Sequence, residues 1–64
     1  MGSVGEAIRA ERIRKGFSMS QLADAVGCAR TTLLYWESDR TFPLAIFRRR
    51  LNEVLGLNLG AKKE

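Results

Sequence analysis

The chain contains 64 residues, which suffices for one domain with one small hydrophobic core. Eleven lysine and arginine residues against seven acidic residues give a net charge of +4, which favours an anionic partner, with nucleic acid ahead of a membrane surface. With no histidine and one cysteine, the sequence lacks the commonest general base and metal ligand and cannot form an internal disulfide. On this composition we expect a protein that is not an enzyme. No apolar run is long enough to cross a bilayer and no signal peptide opens the chain, so we expect a cytoplasmic protein.

The first predicted helix covers residues 4 to about 15. Ser3 and Glu6 have the spacing of a capping box, in which each side chain satisfies a backbone N–H of the other residue. Ile8 and Arg12 share one stripe on a 3.6-residue wheel, which places the aliphatic stem of Arg12 against the core. A guanidinium in that position requires a carboxylate partner.

The second predicted helix covers residues 19 to about 25 and follows a break at Gly16. Ser18 and Gln21 form a second capping box at its start. A third helix is predicted from residue 30 to about residue 37. It begins after Ala29, a poor N-cap, where serine or threonine would stabilise the helix by about 1 kcal/mol.

Residues 22 to 37 have the pattern of two short helices joined by a glycine turn. Ala23 is small enough for the second helix to approach, Gly27 suits a left-handed turn, and Leu33 fills the angle between the helices. Four further apolar residues occupy inward positions: Leu22, Val26, Cys28 and Trp36. We interpret Cys28 as an apolar plug in the turn rather than as a redox residue. The pattern predicts a helix-turn-helix, with an ordinary helical hairpin as the alternative.

A fourth amphipathic segment is predicted from Pro43 to Leu55, as one helix or two shorter ones. Its apolar stripe consists of Leu44, Phe47, Leu51, Val54 and Leu55. Gly56 ends this segment. Residues 57–64 form a tail that we expect to be flexible or to dock in a dimer, so that residues 1–64 make up a single domain.

A set of residues from position 4 to position 59 has the pattern of a known family: Ile8, Arg12, Gly16, Phe17, Ser18, Leu22, Ala23, Val26, Gly27, Leu33, Glu37, Pro43, Leu55 and Gly56. On these residues the chain resembles the DNA-binding domains of lambdoid phage repressors and Cro proteins. The resemblance implies a compact all-α bundle of about five short helices. It also implies that the third helix lies in the DNA major groove, usually as part of a two-fold dimer on a near-palindromic operator. Finally, it implies that Arg12 pairs with Glu37.

Three features depart from the family pattern. Met19 stands where many members have a glutamine that touches a backbone phosphate. Ala29 replaces the usual hydroxyl cap. Arg48 and Asn52 stand where the family prefers apolar residues, which affects the expected register of the fourth and fifth helices.

The outward face of the third helix contains the candidate base-reading residues Arg30, Thr31, Leu34 and Tyr35. Arg30 can form a bidentate contact with guanine O6 and N7, and Thr31 can donate or accept a hydrogen bond. Leu34 and the Tyr35 ring can contact a thymine methyl group. The alternatives are that Arg30 contacts a phosphate and that Leu34 with Tyr35 forms a partner-binding patch.

Candidate phosphate contacts lie at helix ends and in the loop after the third helix. The backbone N–H groups of Ser18 and Met19 offer a positive helix terminus, and Arg40 and Thr41 offer side chains. Residues 48–50 are all arginine, but consecutive helix residues fan through about 200°, so a solvated helix face is the better interpretation. The remaining cations on the first helix are interpreted as solubilising: Arg9, Arg14 and Lys15.

The expected function is sequence-specific binding of double-stranded DNA by a small transcriptional regulator, either a repressor or a Cro-like switch. We expect a homodimer that needs no cofactor and no metal, with neither a small-molecule substrate nor a membrane as partner. The alternative is an antitoxin-like or regulator-binding protein-interaction module on the same scaffold. Salt dependence separates the two, because counterion release makes DNA binding weaken steeply with salt.

Overall fold

A computed structural model describes residues 3–60 of the chain. It contains four helices, α1 (Val4–Arg14), α2 (Met19–Val26), α3 (Arg30–Glu37) and α4 (Ala45–Leu55). Helices α1 and α2 both pack against α3 and α4, around one core. The predicted all-α fold with a helix-turn-helix is confirmed. None of these four helices is long and apolar enough to cross a bilayer.

Both predicted capping boxes are formed. Ser3 Oγ accepts the Glu6 N–H at 3.1 Å, and Glu6 Oε1 accepts the Ser3 N–H at 3.2 Å. Ser18 Oγ accepts the Gln21 N–H at 3.0 Å, and Gln21 Oε1 accepts the Ser18 N–H at 2.8 Å. Because these hydrogen bonds join residues only three apart, they begin α1 and α2 where the sequence predicts.

The turn between α2 and α3 has the predicted left-handed residue. Gly27 has φ 85°, a conformation that a side chain disfavours, and its N–H donates to the Ala23 carbonyl at 2.8 Å. Leu33 is fully buried between the two helices. Ala29 is the N-cap of α3 and makes no side-chain hydrogen bond. The start of α3 therefore lacks the local cap that α1 and α2 possess.

Ala29→Ser is expected to raise the free energy of unfolding by about 0.5 to 1 kcal/mol, because the new hydroxyl can accept a free N–H of the first turn of α3. Equilibrium denaturation by urea measures the effect. Ala25→Ser, at an exposed position inside α2, is the control and should be slightly destabilising, because serine is a weaker helix former than alanine. A lower midpoint for Ala29→Ser would contradict the prediction.

The core consists of buried apolar side chains from all four helices: Ile8, Leu22, Ala23, Val26, Leu33, Trp36, Leu51 and Leu55. Two members of the predicted apolar stripe of the fourth helix, Phe47 and Val54, are partly buried and pack against it. The Phe47 ring lies 5.3 Å from the Trp36 ring between centroids, and thereby joins α4 to α3. The core links the helix-turn-helix to both α1 and α4.

The start of α4 differs from the prediction. The helix begins at Ala45, and Leu44, which was expected on the buried stripe, is an extended N-cap with 68% of its surface exposed. Pro43, expected in the first helical turn, lies before the helix and is fully buried. Its carbonyl accepts a hydrogen bond from Arg48 Nη1 at 2.8 Å. The helix therefore begins two residues later than predicted, and Ala45–Leu55 is one unbroken helix.

The expectation of about five helices was wrong for the part of the chain that the structure describes. Helix α4 ends at Gly56, and residues 57–60 have no regular secondary structure. The side-chain amide of Asn52 donates to the Leu59 carbonyl at 3.2 Å and accepts the Leu59 N–H at 2.8 Å. These bonds hold the first residues of the predicted tail against the end of α4. The fifth helix was expected from a division of residues 43–55 into two shorter helices, and the structure has one helix there. The remainder of the predicted tail, residues 61–64, lies outside the described residues.

The N-terminal end of α1 lies directly on the C-terminal end of α3. Asp39 has φ 62°, and its carboxylate accepts the Gly5 N–H at 3.0 Å and the Ser3 hydroxyl at 2.6 Å. A Cβ atom at Gly5 would lie only 2.4 Å from the Trp36 carbonyl oxygen. The carboxylate is thus placed at the positive end of α1, where a negative charge is favourable. Residue spacing along the sequence does not indicate this contact, which joins residues 34 and 36 positions apart.

Candidate nucleic-acid interface

The candidate base-reading residues lie on one exposed face of α3. Arg30 and Thr31 are exposed in the first turn, and Leu34 and Tyr35 keep 52% and 40% of their surface exposed. The buried residues of the helix lie on the opposite face, as the wheel predicts. This face therefore offers a guanidinium, a hydroxyl and two apolar groups to a partner.

A groove of about 510 Å³ runs between α1, α2 and α3. Arg30, Thr31 and Leu34 line one wall, and Met19 at the start of α2 faces them. Arg9, which we interpreted as solubilising, also lines the groove. The wheel could have indicated this position, because Arg9 precedes the inward Arg12 by three residues and so shares its side of α1.

Arg12 and Glu37 form an ion pair at the floor of this groove. Arg12 Nε donates to Glu37 Oε2 at 2.7 Å and Nη2 donates to Oε1 at 3.3 Å, and the side chains are only 14% and 7% exposed. Arg12 Nη1 also donates to the Phe17 carbonyl at 3.1 Å. One side chain thus ties α1 to the entry of α2 and to the last turn of α3.

Tyr35 lies apart from the groove and faces the loop that follows α3. The Arg40 guanidinium lies 5.9 Å from the centroid of the Tyr35 ring, within range of a cation–π contact. The N–H groups of Arg40 and Thr41 both approach the Tyr35 carbonyl, at 2.9 and 3.4 Å. The structure therefore brings Arg40 and Thr41 to the same end of α3 as Tyr35.

The start of α2 offers different backbone donors from those predicted. The Ser18 N–H, one of the two expected phosphate donors, is already donated to Gln21 Oε1. The N–H groups of Met19 and Ser20 make no hydrogen bond within residues 3–60. They lie at the positive end of α2, so Met19 remains a candidate donor and Ser20 joins it in place of Ser18.

Cys28 lies in the turn beside these elements and packs, partly buried, against the core. Burial raises the pKa of its thiol because it disfavours the charged thiolate. A protonated thiol is a poor nucleophile. This agrees with the interpretation of Cys28 as an apolar plug.

The sequence model of the helix-turn-helix family matches residues 8–60, which is most of the chain. The chain belongs to the helix-turn-helix family. Its type is that of the Cro and C1 proteins, so the resemblance found in the sequence is confirmed. Members of this family are DNA-binding regulators rather than enzymes, and the prediction of a DNA-binding transcriptional regulator is confirmed at that level.

Two solved structures are similar to this helix-turn-helix chain. The N-terminal DNA-binding domain of SinR from Bacillus subtilis is 30% identical and superimposes with a TM-score of 0.78 over 86% of this chain and 81% of its own. A crystal structure of SinR, a master regulator of biofilm formation, in complex with DNA is also 30% identical. Its TM-score is 0.79 over 88% of this chain and 90% of its own. Comparison with curated proteins finds no match.

Proposed function

We propose that this protein binds duplex DNA as a homodimer on a near-palindromic operator, with α3 in the major groove, and so acts as a repressor or a Cro-like switch. The observation that carries the proposal is the exposed face of α3, which lies beside the free N–H groups of α2 in a positively charged chain. The similar SinR structure in complex with DNA supports duplex DNA as the ligand. Duplex DNA as the proposed ligand also favours action in the cytoplasm. No catalytic step, cofactor or small-molecule substrate is part of the proposal.

Sequence readout is assigned to the first two turns of α3. Arg30 and Thr31 are exposed at the N-terminal end, the part of a recognition helix that approaches base edges most closely. Leu34 lies on the same groove wall and offers a methyl-bearing surface to thymine. Tyr35, next to Arg40, is the fourth candidate and lies at the edge of the face.

Phosphate contacts are assigned to groups on both sides of this face. The Met19 N–H lies at the positive end of α2, and the Arg40 and Thr41 side chains are exposed in the loop after α3. Contacts of this kind orient a protein on duplex DNA but carry no sequence information themselves. Ser18 contributes as the cap that keeps the start of α2 in helical geometry.

Arg30→Ala is expected to weaken binding to the preferred duplex by about 1 to 3 kcal/mol and to relax the preference at one base-pair position. Arg40→Ala should weaken all duplexes nearly equally and make the slope of log affinity against log salt shallower by about 1. A preferred duplex is first selected from random sequence, and a scrambled version of it serves as the reference. Each variant is then titrated with both duplexes at several salt concentrations.

Arg14→Ala is the matched control, because Arg14 is exposed on α1 and pairs with Glu11 away from the α3 face. It should leave the preference for the selected duplex unchanged. If Arg30→Ala lowers the affinity for the preferred and the scrambled duplex to the same degree, Arg30 contacts a phosphate. Base readout must then be assigned to Thr31, Leu34 and Tyr35. A wild-type protein that prefers no duplex would contradict the proposed function itself.

The homodimer is expected to protect two half-sites about 10 to 10.5 base pairs apart, centre to centre. The tail that was expected to dock in a dimer contains Leu57 and Leu59, and both are partly buried on the core of their own chain. Leu44 and Ile46 at the start of α4 are 68% and 51% exposed and are better placed for a subunit contact. Sedimentation in solution and footprinting on a selected site measure assembly, and a monomer that protects one half-site would contradict it.

A further inference from the structure

The three consecutive arginines of α4 have three different environments. Arg48 bonds the Pro43 carbonyl at the start of its own helix. Arg49 is exposed, and its side chain makes no hydrogen bond or ion pair within the described residues 3–60. Arg50 Nη1 reaches across to α2 and donates to the Val26 carbonyl at 3.0 Å, between residues 24 positions apart. Among these three arginines, Arg50 is the one whose side chain forms a hydrogen bond with the helix-turn-helix in the described residues.

The Val26 carbonyl is at the C-terminal end of α2, where the last four carbonyls of a helix have no partner in the helix. A positive charge at this end of a helix is favourable. The Arg50 guanidinium also lies 6.0 Å from the centroid of the Phe47 ring, and that ring packs on Trp36 of α3. Arg50 therefore lies between the end of α2 and an aromatic pair that belongs to α4 and α3.

Gly27, the left-handed residue of the turn, lies directly beneath this guanidinium. A Cβ atom at Gly27 would come within 2.7 Å of Arg50 Nη1. A side chain from outside the motif thus lies against the turn, although Gly27 and Arg50 both remain exposed to solvent. A change in the angle between α2 and α3 requires the backbone of this turn to move, and Arg50 is hydrogen-bonded to that backbone.

We propose that Arg50 is a positioning residue for sequence readout, which holds the turn between α2 and α3 and thereby fixes the direction of α3. The inference rests on the proposed readout of bases by α3. A bidentate contact with a base edge requires aligned donors and acceptors, whereas attraction to phosphates tolerates small rotations. Loss of Arg50 should therefore reduce the ratio of specific to non-specific affinity more than it reduces non-specific affinity.

The test compares Arg50→Met with Arg49→Met on the preferred and scrambled duplexes. Methionine keeps much of the apolar stem, and both variants lose one positive charge from neighbouring positions of one helix. Neither arginine is assigned a phosphate contact, so both variants should change the affinity for the scrambled duplex and the salt slope only slightly. Arg50→Met alone should lower the ratio of preferred to scrambled affinity by about five- to tenfold, a part of what one bidentate base contact contributes.

Arg50→Lys is the conservative variant. It keeps the charge, but its compact ammonium cannot bond the carbonyl and stay near the Phe47 ring in the way that the wider guanidinium does, so it should lower the ratio by about two- to threefold. If Arg50→Met does not fold at the assay temperature, this variant decides the question, and a wild-type ratio in Arg50→Lys would overturn the proposal.

Equal ratios in Arg50→Met and Arg49→Met would also overturn the inference, because Arg50 would then act as a surface charge only. That outcome leaves the proposed function intact, since the wild-type protein would still prefer its selected duplex. A wild-type protein with no preference overturns both the function and the inference.

Discussion

Arg12→Ala is expected to lower the free energy of unfolding by about 3 to 5 kcal/mol, which in a domain of this size removes most of the stability. The guanidinium bonds both Glu37 oxygens and the Phe17 carbonyl. Glu37 is only 7% exposed, so removal of Arg12 leaves its carboxylate away from water without a partner. Urea denaturation followed by circular dichroism measures the loss.

Two controls separate the stranded charge from other effects of the Arg12 substitution. Arg14→Ala breaks the exposed ion pair with Glu11 on the same helix and should leave the unfolding midpoint almost unchanged. Arg12→Met combined with Glu37→Leu removes both charges and should be clearly more stable than Arg12→Ala, because no charge is left unpaired. An Arg12→Ala protein that melts within about two degrees of wild type would contradict the prediction, because a loss of this size shifts melting by far more.

Gly5→Ala is expected to destabilise the protein, although alanine is the better helix former by about 1 kcal/mol. A Cβ atom at this position would lie 2.4 Å and 2.6 Å from the carbonyl oxygens of Trp36 and Glu37 and 2.8 Å from Asp39 Oδ1. Two of these atoms belong to the backbone and cannot rotate away, so the end of α1 must move off α3. Overpacking of this kind costs about 1 to 3 kcal/mol or more.

The matched control for Gly5→Ala is the reverse exchange at an exposed position of the same helix. Ala10→Gly should cost about 1 kcal/mol through helix propensity alone. Both variants should therefore be less stable than wild type, although they make opposite exchanges. Thermal or urea denaturation measures the two losses of stability. A Gly5→Ala protein at least as stable as wild type would show that α1 does not approach α3 as closely as described.

The starts of α1 and α2 and the central turn could be predicted from the sequence alone. Ser3 with Glu6 and Ser18 with Gln21 act on residues three apart, and Gly27 acts through its own φ angle. Such local features do not depend on the rest of the fold. The exposed face of α3 was predicted for a similar reason, because the 3.6-residue period is a property of any helix.

The Arg12–Glu37 pair could be predicted only in part from the spacing of residues. The wheel indicated that Arg12 needs a carboxylate, but the identity of that carboxylate came from the resemblance to the repressor and Cro proteins. The structure places the two side chains in contact across 25 positions of sequence. Periodicity within one helix cannot select a partner on another helix, because it contains no information about how the two helices are packed.

The errors concern where helices begin, how many there are and which backbone groups are free at their ends. Pro43 is buried and its neighbour Leu44 is exposed, the reverse of the expected stripe. The two shorter helices that the sequence allowed within residues 43–55 are one helix, Ala45–Leu55. Ser18 is engaged as a cap and so leaves Met19 and Ser20 as the free backbone donors of α2.

The amino-acid sequence by itself determined the helical class, the helix-turn-helix and the exposed face of α3. The tertiary structure decided which distant segments meet around that face, since the Gly5 N–H donates to Asp39 across 34 positions and Arg50 donates to the Val26 carbonyl across 24 positions. Local conformation follows from hydrogen bonds and side-chain periodicity within one turn. The packing of one segment on another depends on the shape and charge of both, and these meet only when the chain has folded.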